Sequence, residues 1–374
     1  MKTKRTAKPA RIDRRSLIMA GSAGLAATAL PLPALAADAD RSSTPGSRVP
    51  VIDVHTHMYT EGWLARIREN PDDSIRLVQG EKSEEIDYRG ARIARISDEM
   101  LDWDQRIRNM DEAGVDVAIV SLTAPNVYVA NKALSVMLAQ QVNDDFAEQQ
   151  SRFPARLRWF ASLPWQHQAE ALRELQRVQA MGTSGLCMLT NILGAPLTDP
   201  GFAPIWEAIE ASGLPVFIHP TTPFVDGMGL SEFGLANTIG FTTETSLCFA
   251  RMFLDGMFDR HPGLKMIACH GGGALPYLIA RFDRMWERSA TPPKSKAPPS
   301  SYLDKVWYDA IVYDQQSLTF LVEQVGSDRV LYGSDYPFLI GDMAGMLARV
   351  DALPSTIRDA IRGENAADLF KGLP

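Results

Sequence analysis

Short apolar runs alternate with longer amphipathic stretches along most of this chain, and that alternation limits the architecture more than any other feature. The β-branched runs are 51–54, 116–122, 156–163, 183–189, 214–218, 264–269, 305–312 and 329–333. Between them lie helical periods at 104–114, 131–150, 168–180, 202–212, 242–260, 274–288 and 315–326. Strand–helix alternation implies a parallel sheet, because parallel neighbours need a crossover and a helix supplies it. Eight such units predict a single (β/α)8 barrel over 51–374; a doubly wound open sheet is the competing arrangement. The stretch 58–103, after the first strand, has no strong period and reads as an insertion serving as a lid or a partner surface.

The polar residues favour the barrel. Four of the six histidines stand at strand ends: His55 and His57 close strand 1, His219 strand 5 and His270 strand 6, while Asp335 follows strand 8. In a parallel barrel these ends share one mouth, where active sites lie. Residues two apart on a strand face the same way, so His55 and His57 can chelate one ion, with His219 and Asp335 completing the set. Such donors suit zinc first and manganese second. His167 and His261 sit in loop and helix-end contexts and read as structural or exposed. Cys187, Cys248 and Cys269 lie among apolar neighbours; an odd count with no CxxC pattern excludes a disulfide framework.

The first 36 residues read as an address. Lys2, Lys4, Arg5, Lys8, Arg11, Arg14 and Arg15 oppose one acid, Asp13, in a chain of formal net charge −7. The remainder is therefore more acidic than the whole, which disfavours nucleic-acid backbones as partners. Arg14-Arg15, the uncharged Ala/Gly/Leu run 16–37 and Ala34-Leu35-Ala36 predict a cleaved twin-arginine signal, a linker at 37–50, a periplasmic mature chain and no stable membrane association after cleavage.

Asp53-x-His55-x-His57, Phe217-Ile218-His219-Pro220, the run from Cys269-His270-Gly271 to Pro276, and Gly333-Ser334-Asp335-Tyr336-Pro337 resemble the amidohydrolase superfamily. They are most similar to its branch typified by aminocarboxymuconate-semialdehyde decarboxylase, over about 50 to 370. The resemblance implies His55, His57, His219 and Asp335 as metal ligands and His270 as the catalytic histidine. It implies Arg281 as a carboxylate-gripping arginine that reaches a neighbouring subunit's site, hence a homodimer. It also implies a second such arginine in the insertion, for which Arg92 and Arg95 are the candidates. Binuclear members bridge two ions with a carboxylated lysine on strand 4. No lysine occurs between Lys132 and Lys265, so one ion is expected.

One ion with an open position can serve two reactions. It can act as an electron sink for non-oxidative decarboxylation of an unsaturated or aromatic carboxylic acid, with His270 or Asp335 delivering the proton. It can also activate water to hydrolyse a lactone or amide. A retired, non-catalytic binding protein is disfavoured by the complete residue set, and no Gly-x-Ser-x-Gly elbow supports serine chemistry.

Overall fold

The computed structural model describes residues 48–221, 230 and 232–373. All eight expected strands form: β1 (Ile52–His57), β2 (Val117–Ser121), β3 (Leu157–Ala161), β4 (Gly185–Leu189), β5 (Val216–His219), β6 (Met266–Ala268), β7 (Val306–Asp309) and β8 (Val330–Leu331). They pair in chain order, every adjacent pair parallel. β8 is too short to ladder with β1, and the backbone after it closes the ring instead. Val54 N donates to Tyr332 O at 3.0 Å, Asp335 N to His55 O at 2.8 Å and His57 N to Tyr336 O at 2.8 Å. Closure therefore ties Asp335 to the histidine strand. The signal-like segment 1–36 and most of the 37–50 linker lie outside the described residues.

Barrel strands are buried on both faces, which explains their nearly continuous apolar runs. Ile52, Val54, Val117, Ile119, Phe160, Cys187, Phe217, Ile267 and Leu331 fill the interior. Alternate residues such as Ala118, Val120, Leu157 and Trp159 pack outward with the helices. Ala366, Leu369 and Phe370 of the C-terminal segment plug the floor, where Phe370 lies 5.5 Å from Phe160, ring to ring.

The main helices outside the insertion are α1 (Trp103–Ala113), α2 (Lys132–Arg152), α3 (Gln168–Met181), α4 (Ala203–Ser212), α5 (Phe241–Leu254), α6 (Leu275–Arg288), α7 (Gln315–Val325) and α8 (Met343–Asp351). Their ends follow local chemistry. Asp102 caps α1 by accepting from Gln105 N, and Gly114 stops it in the left-handed region at φ 79°.

The insertion is more regular than its sequence suggests. It holds a helix, Glu61–Glu69, and an antiparallel sheet of Ile75–Gln79, Glu84–Tyr88 and Ala91–Arg95. A two-residue turn, Arg89-Gly90, joins the last two strands with both residues at positive φ (53° and 85°), the geometry of a tight hairpin. Ile75, Ile86 and Tyr88 turn inward, and the Tyr88 hydroxyl donates to Tyr128 O at 2.7 Å.

Candidate metal centre

Five polar side chains converge at the barrel mouth. One donor atom each from His55, His219, His270 and Asp335 lies within 4.8 Å of all the others. His57 belongs to the same cluster: its Nε2 is 3.0 Å from His55 Nε2 and 3.4 Å from Asp335 Oδ1. Two imidazole nitrogens so close need a proton or an ion between them. Ligands at about 2.0–2.1 Å from one metal stand apart on this scale.

The strand alternation alone does not aim His55. Ile52 and Val54 already face the interior, which leaves residue 55 on the other side. A register shift against β2 between Asp53 and Thr56 changes the parity, and His55 packs edge-on against the interior ring of Phe217 at 4.8 Å. Arg106, fully buried on α1, then anchors this stretch: it donates to Thr56 Oγ1 at 2.8 Å and to His57 O at 2.6 Å. Burial lowers its guanidinium to about 10. Asp53 accepts from Ser334 Oγ at 2.5 Å and from His55 N at 3.2 Å, and burial raises its carboxyl to about 6.

Three histidines have their second nitrogen tied down. His55 Nδ1 lies 2.6 Å from Asp309 Oδ2, His57 Nδ1 3.0 Å from Ser121 Oγ, and His219 Nδ1 2.8 Å from Pro220 O. That anchoring fixes each ring and leaves Nε2 toward the cluster, the arrangement of metal-ligating histidines. His270 differs: its Nδ1 is buried with no partner among the described residues, and its Nε2 is 3.6 Å from Asp335 Oδ2.

The electrostatics match a cation site. Burial pushes His57 down to about 4 and, helped by its histidine neighbours, holds His219 well below the usual range. Burial would depress His55 as well, but Asp309 and Asp335 raise it to about 10. Burial would raise Asp335, yet hydrogen bonds from His270, His55 and His57 hold it well below the carboxylate range. The donor set thus offers neutral imidazoles at His57 and His219 and one ionised carboxylate at Asp335, while Asp309 and Asp335 favour a proton on His55.

Asp309 is the residue that sequence reasoning missed. At the end of β7 it binds His55 Nδ1 and also accepts from His270 N at 2.9 Å, Gly271 N at 3.0 Å and Ile311 N at 3.1 Å. It thereby supports two cluster residues. His270 and Asp335 both sit in the left-handed region, at φ 54° and 58°, a conformation side-chain-bearing residues adopt at a cost of order 1–3 kcal/mol and keep mainly at functional sites. The available signal was position: Asp309 ends an apolar strand, as His55, His219 and His270 do.

The arginines separate. Arg92 is paired with Glu85 at 2.8 Å and Asp87 at 3.5 Å, within the insertion's own sheet. Arg95 instead lines the cavity of about 660 Å³ over the cluster, as do Ile93, Glu99 and Met100. The insertion is thus a wall of the site. Arg281 is exposed on α6 and lines neither this cavity nor the one beside it. Cys187 faces the barrel core, donates to Leu122 O at 3.2 Å and is pushed up to about 12 by burial, so it stays a thiol away from the cluster.

A closed parallel barrel with one His/Asp cluster at its C-terminal mouth defines a metal-dependent (β/α)8 enzyme with a single divalent-ion centre. Residues 52–372 match the amidohydrolase family (Amidohydro_2), and the chain belongs to it. It is 30% identical over 341 residues to 2-amino-3-carboxymuconate-6-semialdehyde decarboxylase of Dictyostelium discoideum, covering 86% of this chain and 91% of that protein. Among solved structures, 5-carboxyvanillate decarboxylase from Sphingomonas paucimobilis superposes with a TM-score of 0.75 at 27% identity, covering 86% and 99% of the two chains. Dihydroxybenzoic acid decarboxylase from Polaromonas sp. JS666, solved with bound manganese and the inhibitor 2-nitroresorcinol, superposes at 0.69 with 27% identity over 86% and 97%.

Proposed function

We propose that this enzyme is a metal-dependent, non-oxidative decarboxylase of an unsaturated or aromatic carboxylic acid. The observation that carries this reading is Asp335: an ionised, buried carboxylate shared between the anchored histidines and His270. His55, His57, His219 and Asp335 hold one ion, and His270 stands beside it. Bound there, a divalent ion supplies positive charge against a substrate carboxylate and an adjacent oxygen. Zinc suits the three imidazoles and one carboxylate; the manganese of the Polaromonas neighbour makes that ion the second to test. When the carbon–carbon bond breaks and carbon dioxide leaves, the remaining carbon needs a proton. Asp335 and His270, whose Oδ2 and Nε2 lie 3.6 Å apart, are the groups that would deliver it.

Arg95 meets the substrate within the chain, and Arg281 reaches the site of a second copy in a homodimer. Exposed Tyr277 and Met285 flank Arg281 on the same helix, which fits a contact face. The signal-like first 36 residues support export by the twin-arginine route to the periplasm.

The test is turnover of metal-loaded protein on aromatic acids, unsaturated acids, lactones and amides. Carbon dioxide should be released from an acid. His270→Ala should keep the ion and lose roughly 10²–10⁴-fold in kcat, and Arg281→Ala should raise KM. A lactone or amide turning over with no carbon dioxide, and with Arg281→Ala silent, replaces this reading with the hydrolase.

A further inference from the structure

His270 stands in the wall between two cavities. The first is the 660 Å³ space over the metal cluster; the second, of about 860 Å³, opens on the far side, and Asn237, His270 and Ile340 line both. We propose that the second cavity is a substrate subsite that takes an apolar extension, an aryl group or a short alkyl chain, on the acid whose carboxylate lies at the metal centre. This rests on the decarboxylase reading and adds the class of acid to it.

Size is the first argument. Clefts of about 300–1,000 Å³ hold whole drug-sized ligands. The space over the cluster is therefore ample for a one-ring acid, and the adjoining one has room for a second fragment of similar size. The lining is the second argument. Tyr277, Val312, Tyr313, Phe320, Leu321 and Ile340 supply apolar walls. The one carboxylate on that wall among the described residues, Asp314, is engaged in capping α7, accepting from Ser317 N at 2.9 Å. Apart from Asp314 and His270, the polar contacts among the described lining residues are uncharged side chains such as Thr238 and Gln316, which favours an uncharged extension.

The third argument is the state of the aromatic rings. Tyr277 is 78% exposed and Phe320 37%, with ring centroids 6.4 Å apart, so two aromatic faces border the cavity rim, Tyr277 at the edge of the face assigned above to a second copy. Tyr313 lies four residues beyond Asp309 and adopts φ 57°. A bulky side chain in the left-handed region is a rare conformation that concentrates at ligand sites, and here the residue lines the cavity.

The experiment uses the full mature chain loaded with zinc or manganese. The probes are 2-hydroxybenzoate, 2,6-dihydroxybenzoate and their n-butyl and phenyl derivatives at each free ring position, read by calorimetric binding and by kcat/KM. One buried methylene tightens binding about fourfold. At least one derivative should therefore bind at least about tenfold tighter than its parent. Gln316→Trp and Thr238→Trp, both at exposed positions that line the cavity, should each bring that ratio back to within about twofold of one. The proposal is overturned if no tail-bearing acid gains tenfold, whether or not the parent acids release carbon dioxide. It is equally overturned if both tryptophan variants split a dimer in sedimentation while leaving the tail ratio untouched, since the cavity is then a contact between copies. Carbon dioxide release from the parents reads the reaction separately. A retained tail gain without it removes the decarboxylase and leaves the subsite.

Discussion

The two ends of the barrel are built on opposite principles. At the floor, Phe160, Ala366, Leu369 and Phe370 pack an apolar plug. At the mouth, Asp53, Arg106, Asp309, Asp335 and four histidines are held in or near full burial, and two of them, His270 and Asp335, adopt left-handed backbone. Burying charge costs several kcal/mol per group unless it is paired. The mouth offsets that cost with a continuous net running from Arg106 through the β1 backbone to Asp335, and from Asp309 to both His55 and His270. The floor therefore contributes apolar burial, while the mouth keeps a constellation that would be poor packing anywhere else. If that division is real, changes at the floor lower stability and spare chemistry, and changes at the mouth do the reverse.

The largest expected effect is at the floor. Phe370→Ala removes a buried ring that contacts Phe160, and should cost about 3–5 kcal/mol in urea unfolding. Metal content and kcat per folded molecule should match those of the parent protein. A parallel fall in metal content would mean that the two ends are coupled through the strands, and the comparison would fail.

At the mouth, Asp309→Asn keeps size and removes charge. Loss of a carboxylate that orients a metal-ligating histidine typically lowers metal affinity 10–100-fold. Competition with a chelator should show a loss in that range. A large stability loss with unaltered affinity would reassign Asp309 to the fold alone.

Asp309 also shows where sequence reasoning stops. The eight strands and the histidines at their ends were legible because periodicity and strand-end position are local properties. Asp309 and its partner His55 are 254 residues apart, and in the run Val306-Trp307-Tyr308-Asp309-Ala310-Ile311 it looks like one polar residue in an apolar strand. The parity change that aims His55 was hidden for the same reason, since a register shift is a property of two strands. The insertion's hairpin was partly written in Arg89-Gly90, but its strands are short and half-exposed and carry too weak an alternation to stand out. Between Arg92 and Arg95 only packing could decide: the first finds Glu85 and Asp87 across the sheet, and the second faces the cavity.

The smallest expected effect separates surface charge from buried charge. Asp255 lies on the connection from α5 into β6, at the floor end of the barrel, paired with Lys294 at 2.5 Å and with Arg260. Burial would raise its carboxyl, but Lys294 and Arg260 outweigh that and hold it below 3.8. A depressed carboxyl contributes stability that is present above its unfolded value and lost as pH falls through the folded one. The difference in urea midpoint between the parent protein and Asp255→Asn should therefore be small and positive at pH 7, and should shrink as pH drops below 3.8. Because these side chains reach solvent, the difference should also shrink in about 0.5 M salt, where the screening length falls to a few ångströms. A difference that is constant across pH would mean that Asp255 acts through packing rather than charge. One that resists salt would mean that floor charges are shielded from solvent as the mouth charges are, and the contrast between the two ends would then lie in the metal cluster alone.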